Sequence, residues 1–154
     1  MRIAIVAARF NDFVTDRLVE GAQAALRDAG LTDQDIDVVR VPGAFEVPMA
    51  AQRLAETGKV SAVVCIGCLI RGATPHFEYI ASACAHGITA AAASTGVPMA
   101  FGVLTTNSVE EALERAAPGP SNKGREAADA ALEMARLFVE IGEGPVGGFG
   151  ETGL

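Results

Sequence analysis

The stretch AVVCIGCLIRGATPHFEYI, residues 62–80, joins an unbroken apolar run to a turn of arginine, glycine, hydroxyl, proline and imidazole. The apolar run, rich in β-branched side chains, predicts a buried strand over residues 62–69. Apolar residues then recur with helical spacing from Phe77 onward, which predicts a helix. Thr74 suits the N-cap of that helix and Pro75 its first position. The stretch therefore predicts one strand–turn–helix unit of an α/β protein.

The same alternation of strand and helix patterns runs along the whole chain, with no internal repeat. Four strands alternating with helices predict a parallel sheet covered on both faces, a flavodoxin-like three-layer α/β/α sandwich with a four-stranded parallel sheet. The other strands are expected at residues 3–7, 36–41 and 99–104. The first helix is expected from Asp12 to a C-cap at Gly30, and the second over residues 44–56. A further helix is expected from a capping box at 108–111 to the break at 118–120, and the last from Asn122 onward.

The domain organisation is simple. Residues 1–142 are expected to form a single domain, and residues 143–154 a flexible glycine-rich tail. The last helix is expected to carry Ala131, Met134, Phe138 and Ile141 on one face.

Composition excludes several classes of function. The net charge of −7 disfavours nucleic acid and anionic lipid as partners. No apolar stretch is long enough to span a membrane, and the start does not resemble a signal peptide, so a cytoplasmic protein is expected. Cys65 and Cys68 match C-x-x-C, but within a strand this spacing places the two thiols on opposite faces. They are expected to be structural, with no metal site.

Unusual residues follow each predicted strand. In open parallel sheets, ligands collect at the carboxyl ends of the strands, so these loops predict a binding site there. The loops are residues 9–11, 42–46, 71–76 and 105–107.

The loop before the third helix carries the strongest chemical signal. Gly72, Ala73 and Thr74 precede a helix N-terminus, whose free N–H groups can bind phosphate. An ordinary capped turn remains the alternative. His76 has the side chain best suited to moving protons near neutral pH, although it could merely hydrogen-bond the turn. His86 lies mid-helix and is expected at the surface or an interface.

Aromatic and charged residues extend this candidate site. Phe10 and Phe45 could stack on a flat ligand, or could pack the rim of the core. Glu46 could accept hydrogen bonds from the ligand's hydroxyl or amine groups. Arg115 and Lys123 could pair with phosphate, or could be solvated surface charges.

Five segments together resemble the lumazine synthase family of riboflavin biosynthesis, over residues 2–138. That resemblance implies condensation of 5-amino-6-ribitylaminouracil with 3,4-dihydroxy-2-butanone 4-phosphate to 6,7-dimethyl-8-ribityllumazine, phosphate and water, without a metal or redox cofactor. The segments are ARFND (8–12), VPGAFEVP (41–48), GCLIRGATPHFEYI (67–80), FGVLTTNSVEEALERA (101–116) and SNKGREAA (121–128).

The resemblance also implies roles for individual residues. His76 would transfer protons, and Phe101 would enter the active site of a neighbouring subunit. The phosphate site would comprise Ala73, Thr74 and Arg115, with Lys123 close by. Cys68 would act through its backbone at the pyrimidine and ribityl site. That site would comprise Phe10, Ala44, Phe45, Glu46, Cys68, Leu69 and Ile70.

Family members form homopentamers, and some close into sixty-subunit capsids. This chain departs from many relatives by starting at the first central strand, by a proline-rich loop at 117–121, and by Asn107 where an acidic residue is common. The first two departures bear on subunit packing. The rival interpretations are an archaeal-type riboflavin synthase, a non-catalytic lumazine or flavin binder, and a generic flavodoxin-like phosphate-binding module.

Overall fold

The computed structural model describes residues 1–143, which form one sheet with helices on both of its faces. The predicted tail, apart from its first residue, lies outside the described residues. The strands are β1 (Ile3–Ala8), β2 (Ile36–Val41), β3 (Ala62–Ile70) and β4 (Met99–Thr106), and the helices are α1 (Asp12–Asp28), α2 (Val47–Glu56), α3 (His76–Thr95), α4 (Val109–Arg115) and α5 (Lys123–Glu143).

All four strands are parallel, in the order β2-β1-β3-β4. One hydrophobic core lies between the sheet and α1, α4 and α5, and a second lies between the sheet and α2 and α3. The predicted flavodoxin-like three-layer sandwich is therefore confirmed. Because β1 and β3 are central and covered on both faces, their side chains are apolar without alternation.

Each of the predicted strands is present, and three of them extend further than the sequence indicated. β1 continues to Ala8 and β3 to Ile70, whereas β4 continues to Thr106. The ladder between β3 and β4 pairs Ile70 with Thr106, so backbone pairing continues into polar residues. Thr105 and Thr106 are thus the end of a strand and not a loop.

The start of α2 differs from the prediction. Residues 44–46 form a 3₁₀ turn, and the α-helix begins only at Val47. Pro48 explains the difference, because it has no N–H to donate to the carbonyl of Ala44. Val47 N–H makes that bond instead, which is the tighter 3₁₀ pattern.

The start of α3 also differs. The helix begins at His76, and Pro75 occupies the N-cap position, with no capping hydrogen bond from a side chain. The prediction that Thr74 is the N-cap is wrong by one residue. The carbonyl of Pro75 accepts from the N–H groups of Glu78 at 3.1 Å and Tyr79 at 3.4 Å, which starts the helix.

The capping box before α4 is only half formed. Ser108 Oγ accepts from the N–H of Glu111 at 3.1 Å, as predicted. The carboxylate of Glu111 accepts from the N–H of Asn107 at 3.1 Å, one residue before the N-cap. The predicted C-cap of α1 is off by one residue, because Ala29 holds that position and Gly30, with a positive φ of 102°, follows it.

In the single chain, the predicted apolar face of α5 is buried only in its first part. Ala131 is buried, but Met134, Phe138 and Ile141 are exposed by 40%, 43% and 47%. Arg136 donates to the carbonyl of Ala29, the residue that ends α1. The last turns of α5 therefore extend past the helix against which α5 packs.

Candidate functional site

A cavity of about 890 Å³ lies at the carboxyl ends of β1, β2 and β3. We call it the strand-end cavity. It stands where ligands bind in folds of this kind. Its walls are Phe10, Asn11, Pro42, Gly43, Ala44, Phe45, Glu46, Leu69, Ile70, Gly72, Thr74, His76, Phe77, Tyr79 and Ile80.

The loop after β1 is fixed by Asn11 and presents Phe10. Asn11 adopts the left-handed conformation, with φ of 62°, which asparagine tolerates better than most residues. Its Nδ2 donates to the carbonyl of Cys68 at 2.9 Å. Phe10 N–H also donates to the carbonyl of Pro42 at 3.0 Å. The Phe10 ring remains 67% exposed, so it is available to contact a ligand.

The 3₁₀ turn after β2 divides its residues between core and cavity. Ala44 is buried, in close contact with the backbone of Gly67, where an added Cβ would lie 3.2 Å away. Phe45 is 59% exposed and lies on the cavity wall beside Glu46. An aromatic face next to a carboxylate suits a flat ligand that carries N–H or O–H groups.

The loop between β3 and α3 brings hydroxyl and imidazole groups to the same cavity. Gly72, Thr74 and His76 line it, and all three are exposed. Ala73 lies between two lining residues. His76 is the first residue of α3, so it adjoins the positive end of the helix. This end of the cavity can accept an anion and move a proton.

The end of β3 forms the floor of the cavity. Leu69 and Ile70 line it, but the side chain of Cys68 is buried in the core. The carbonyl of Cys68 holds Asn11 in place. Cys68 therefore contributes its backbone to the architecture of this edge.

A second cavity, of about 610 Å³, lies along β4, α4 and α5. We call it the β4 cavity. Phe101, Arg115 and Lys123 all line it, as does Glu126. Arg115 Nη1 donates to the carbonyl of Glu111 at 3.2 Å, and Lys123 Nζ lies 2.8 Å from a carboxylate oxygen of Glu126. Arg115 Nη1 also lies 3.9 Å from Glu111 Oε2, so each cation faces a carboxylate that a bound anion would have to replace.

The structure thus separates the predicted site residues into two groups. The β4 cavity has Phe101, Arg115 and Lys123, and Cys68 and Ala73 line neither cavity. The strand-end cavity is lined by the remaining candidates, Phe10, Ala44, Phe45, Glu46, Leu69, Ile70, Thr74 and His76. Within residues 1–143 the two cavities share no lining residue. One chain therefore presents two incomplete halves of the predicted site.

The cysteines do not form a reactive site. Cys65 and Cys68 belong to the two opposite cores, as the strand spacing predicts. Burial, with a smaller effect of the nearby Cys84 thiol, raises the pKa of Cys65 to about 12. Burial alone raises the pKa of Cys68 and Cys84 to about 11. The thiols therefore stay protonated, which disfavours redox and nucleophilic chemistry.

We expect all three thiols to resist iodoacetamide in the folded protein at pH 8 and to react in urea. Their pKa values are higher in the folded than in the unfolded protein. Their contribution to stability is therefore complete below about pH 8.5 and is lost as the pH rises toward about 11. Mass spectrometry and urea titrations at pH 8 and 10 check both effects. Rapid labelling of native protein would contradict the buried placement.

Several residues that line these cavities were given no role by sequence reasoning, among them Asn11 and Glu126. Asn11 has the left-handed conformation, which asparagine adopts more readily than most residues. An asparagine directly after a strand was therefore a signal that the sequence offered. Glu126 lies three residues after Lys123 on one helix, a spacing that brings side chains together. The carboxylate of Glu126 partly neutralises the charge of Lys123 in the β4 cavity.

Fold and cavities define a flavodoxin-like α/β protein with a candidate small-molecule site at the ends of its strands. The family model for 6,7-dimethyl-8-ribityllumazine synthase matches residues 1–139, and the chain belongs to that family. Membership supports lumazine synthesis in the riboflavin pathway by a transferase-type enzyme. It also indicates small-molecule substrates and oligomerisation in general terms. Among the described residues, no helix has the length and apolar character needed to cross a membrane.

Proposed function

We propose that the protein condenses 5-amino-6-ribitylaminouracil with 3,4-dihydroxy-2-butanone 4-phosphate to give 6,7-dimethyl-8-ribityllumazine, phosphate and water. The observation that carries this proposal is the strand-end cavity. It combines two exposed aromatic rings, Phe10 and Phe45, with Glu46 and with the Thr74–His76 end of the β3–α3 loop. The family membership supports the same reaction class.

The pyrimidine occupies the aromatic end of the cavity in this proposal. Phe10 stacks on the ring, and Phe45 and Glu46 contact the ring and the ribityl chain. Backbone groups of residues 68–70 meet the pyrimidine edge. The butanone phosphate lies next to Ala73 and Thr74, where the start of α3 favours an anion.

The proposed reaction depends on proton transfer more than on any other form of catalysis. The pyrimidine amine adds to the ketone, and water leaves to form an imine. Elimination then expels phosphate and leaves an enol, which tautomerises to a carbonyl. The ribityl-bearing nitrogen closes the ring on that carbonyl with loss of water. In this proposal His76, which lines the cavity at the start of α3, exchanges protons in these steps.

The two cavities meet between copies of the chain in our proposal. Phe101, Arg115 and Lys123 from one copy complete the strand-end cavity of a neighbour, where the two cations hold the phosphate. A contact of unlike surfaces closes a ring when the rotation between neighbouring copies divides a full turn. We propose a homopentamer as the basic ring and the cytoplasm as its location. Neither nucleic acid nor a membrane has a role, and no metal or cofactor is proposed.

The test is a two-substrate assay that follows lumazine absorbance and phosphate release together. We expect equal amounts of both products, formed well above the uncatalysed background, and about a hundredfold or more slower formation by His76→Ala. Exposed His86, whose Nδ1 lies 2.9 Å from the carbonyl of Ser82, provides the matched control. His86→Ala should retain the wild-type rate.

Other outcomes identify the rival functions. Riboflavin formed from the lumazine alone would identify a riboflavin synthase. Tight binding of the pyrimidine without any product would identify a binder. Either result would overturn the proposed condensation.

A further inference from the structure

The loop that carries Thr74 to His76 is poorly held by its own backbone. The last rung of the sheet is the bond from Arg71 N–H to the carbonyl of Thr106, at 2.8 Å. In the described part of the chain, the N–H groups of Gly72, Ala73 and Thr74 make no main-chain hydrogen bond. The position of this loop must therefore be fixed by side chains.

The side chain of Arg71 makes three contacts that bridge both ends of the loop. Its Nη1 donates to Glu78 Oε1, in the first turn of α3, at 2.8 Å. Its Nε donates to Asn107 Oδ1, beyond the end of β4, at 3.0 Å. The guanidinium also lies 4.7 Å from the centre of the Phe77 ring. The planar, forked guanidinium can satisfy all three partners together.

The contact with Asn107 leads on to the other cavity. Asn107 N–H donates to Glu111 Oε2 at 3.1 Å. The carbonyl of Glu111 in turn accepts from Arg115 Nη1 at 3.2 Å. A continuous chain of polar contacts therefore joins the β3–α3 loop to the cation of the β4 cavity.

We propose that Arg71 is a positioning residue, which holds the loop and the start of α3 so that Thr74 and His76 stay in working geometry. Arg71 does not line the strand-end cavity, and its guanidinium is engaged by Glu78, Asn107 and Phe77. It acts on the reaction through the loop and not by touching substrate. The inference rests on the proposed condensation, and it adds a residue whose effect is geometric.

The first test is Arg71→Ala, assayed with both substrates and by hydrogen exchange without substrate. We expect kcat to fall about tenfold or more, because small displacements of reacting groups are costly. The Kd of the ribityl pyrimidine, bound mainly at Phe45 and Glu46, should change less than about twofold. The hydrogen-bonded amides at the two ends of the loop, those of residues 71, 78 and 79, should exchange faster than in wild type.

Arg27→Ala is the matched control. Arg27 is also a half-exposed arginine in an ion pair, at 2.8 Å from Asp33, but it lies at the opposite edge of the sheet. We expect neither its kcat nor the exchange of the loop to change. This control separates loop positioning from the general loss of a surface ion pair.

A rescue experiment tests the contact with Asn107. Arg71→Lys keeps the positive charge but loses the forked guanidinium that contacts several partners at once, so kcat should fall. Adding Asn107→Asp gives the lysine a charged partner and should restore kcat by about threefold or more. Arg71→Lys and Arg71→Lys/Asn107→Asp both keep a positive charge at position 71. Comparing their kcat values therefore tests the positioning role even if Arg71→Ala does not fold.

Two results would overturn the inference. One is wild-type kcat and wild-type loop exchange in Arg71→Ala, and the other is the absence of rescue by Asn107→Asp. If wild-type protein makes no lumazine, the proposed condensation fails. The exchange rates of the substrate-free protein then still decide whether Arg71 holds the loop.

Discussion

Gly124→Ala is expected to destabilise the protein by about 3 kcal/mol or more, because α5 has no room for a side chain at this point. A Cβ on Gly124 would lie 2.0 Å from the carbonyl oxygen of Leu18 and 2.6 Å from its carbonyl carbon. Both atoms belong to the backbone of α1, so no rotamer change can relieve the overlap. The two helices would have to separate, and the buried residues between them would lose contact.

The packing around Gly124 increases this cost. Asn122 is buried just before the helix, and its Nδ2 donates to the carbonyls of Ala116 at 2.9 Å and Arg17 at 3.3 Å. Its Oδ1 accepts from Arg125 N–H at 3.0 Å. Any movement of α5 away from α1 would strain these bonds, and buried polar groups without partners are costly.

Gly142→Ala, in the same helix, provides the control for the same substitution. A Cβ on Gly142 meets open space, so alanine should stabilise the helix by up to about 1 kcal/mol. Thermal unfolding at one fixed protein concentration compares the two variants. A midpoint for Gly124→Ala within one degree or so of wild type would contradict the packing described for α1 and α5.

Arg115→Ala is expected to lower kcat/KM for the butanone phosphate by about a hundredfold or more. In the proposed site its guanidinium binds the phosphate that leaves during the reaction. The same change should leave the Kd of the ribityl pyrimidine within about twofold of wild type, since that substrate binds at the other cavity. Stopped-flow or steady-state lumazine formation, with each substrate varied in turn, checks both expectations.

Arg125→Ala controls for the loss of an arginine near the same cavity. Arg125 pairs with Asp28 at 2.6 Å and does not line the β4 cavity. We expect it to retain wild-type kcat/KM. Equal losses in the two variants would show that a general surface charge, and not Arg115 itself, accounts for the effect.

Local pattern was sufficient to predict most of the fold. Unbroken apolar runs predicted the two central strands, β1 and β3, because central parallel strands are covered on both faces and cannot alternate. Gly30 and Ser108 marked helix boundaries through local backbone chemistry. The errors arose where the pattern was locally ambiguous. The first residue of α2 depended on which carbonyl Pro48, having no N–H, leaves without a donor. The last residues of the strands depended on backbone pairing with a neighbouring strand.

The arrangement of the site was predictable in part. Phe10, Phe45, Glu46, Thr74 and His76 follow strands whose carboxyl ends meet at one edge, so topology alone brings them together. Arg115 and Lys123 sit on later helices, and no periodicity states which face of the sheet those helices cover. The contacts of Arg71 with Glu78 and Asn107 depend on side-chain geometry, which spacing along the chain does not specify.

The most direct test of the account is subunit complementation. Phe45→Ala/Glu46→Ala disables the strand-end cavity, and Arg115→Ala disables the β4 cavity. Each variant alone should make almost no lumazine from the two substrates. Co-assembled in equal amounts, they should recover about a quarter of wild-type activity, because random neighbours then form some sites from two intact halves. A co-assembled sample no more active than the average of its parents would contradict the claim that two copies build the site.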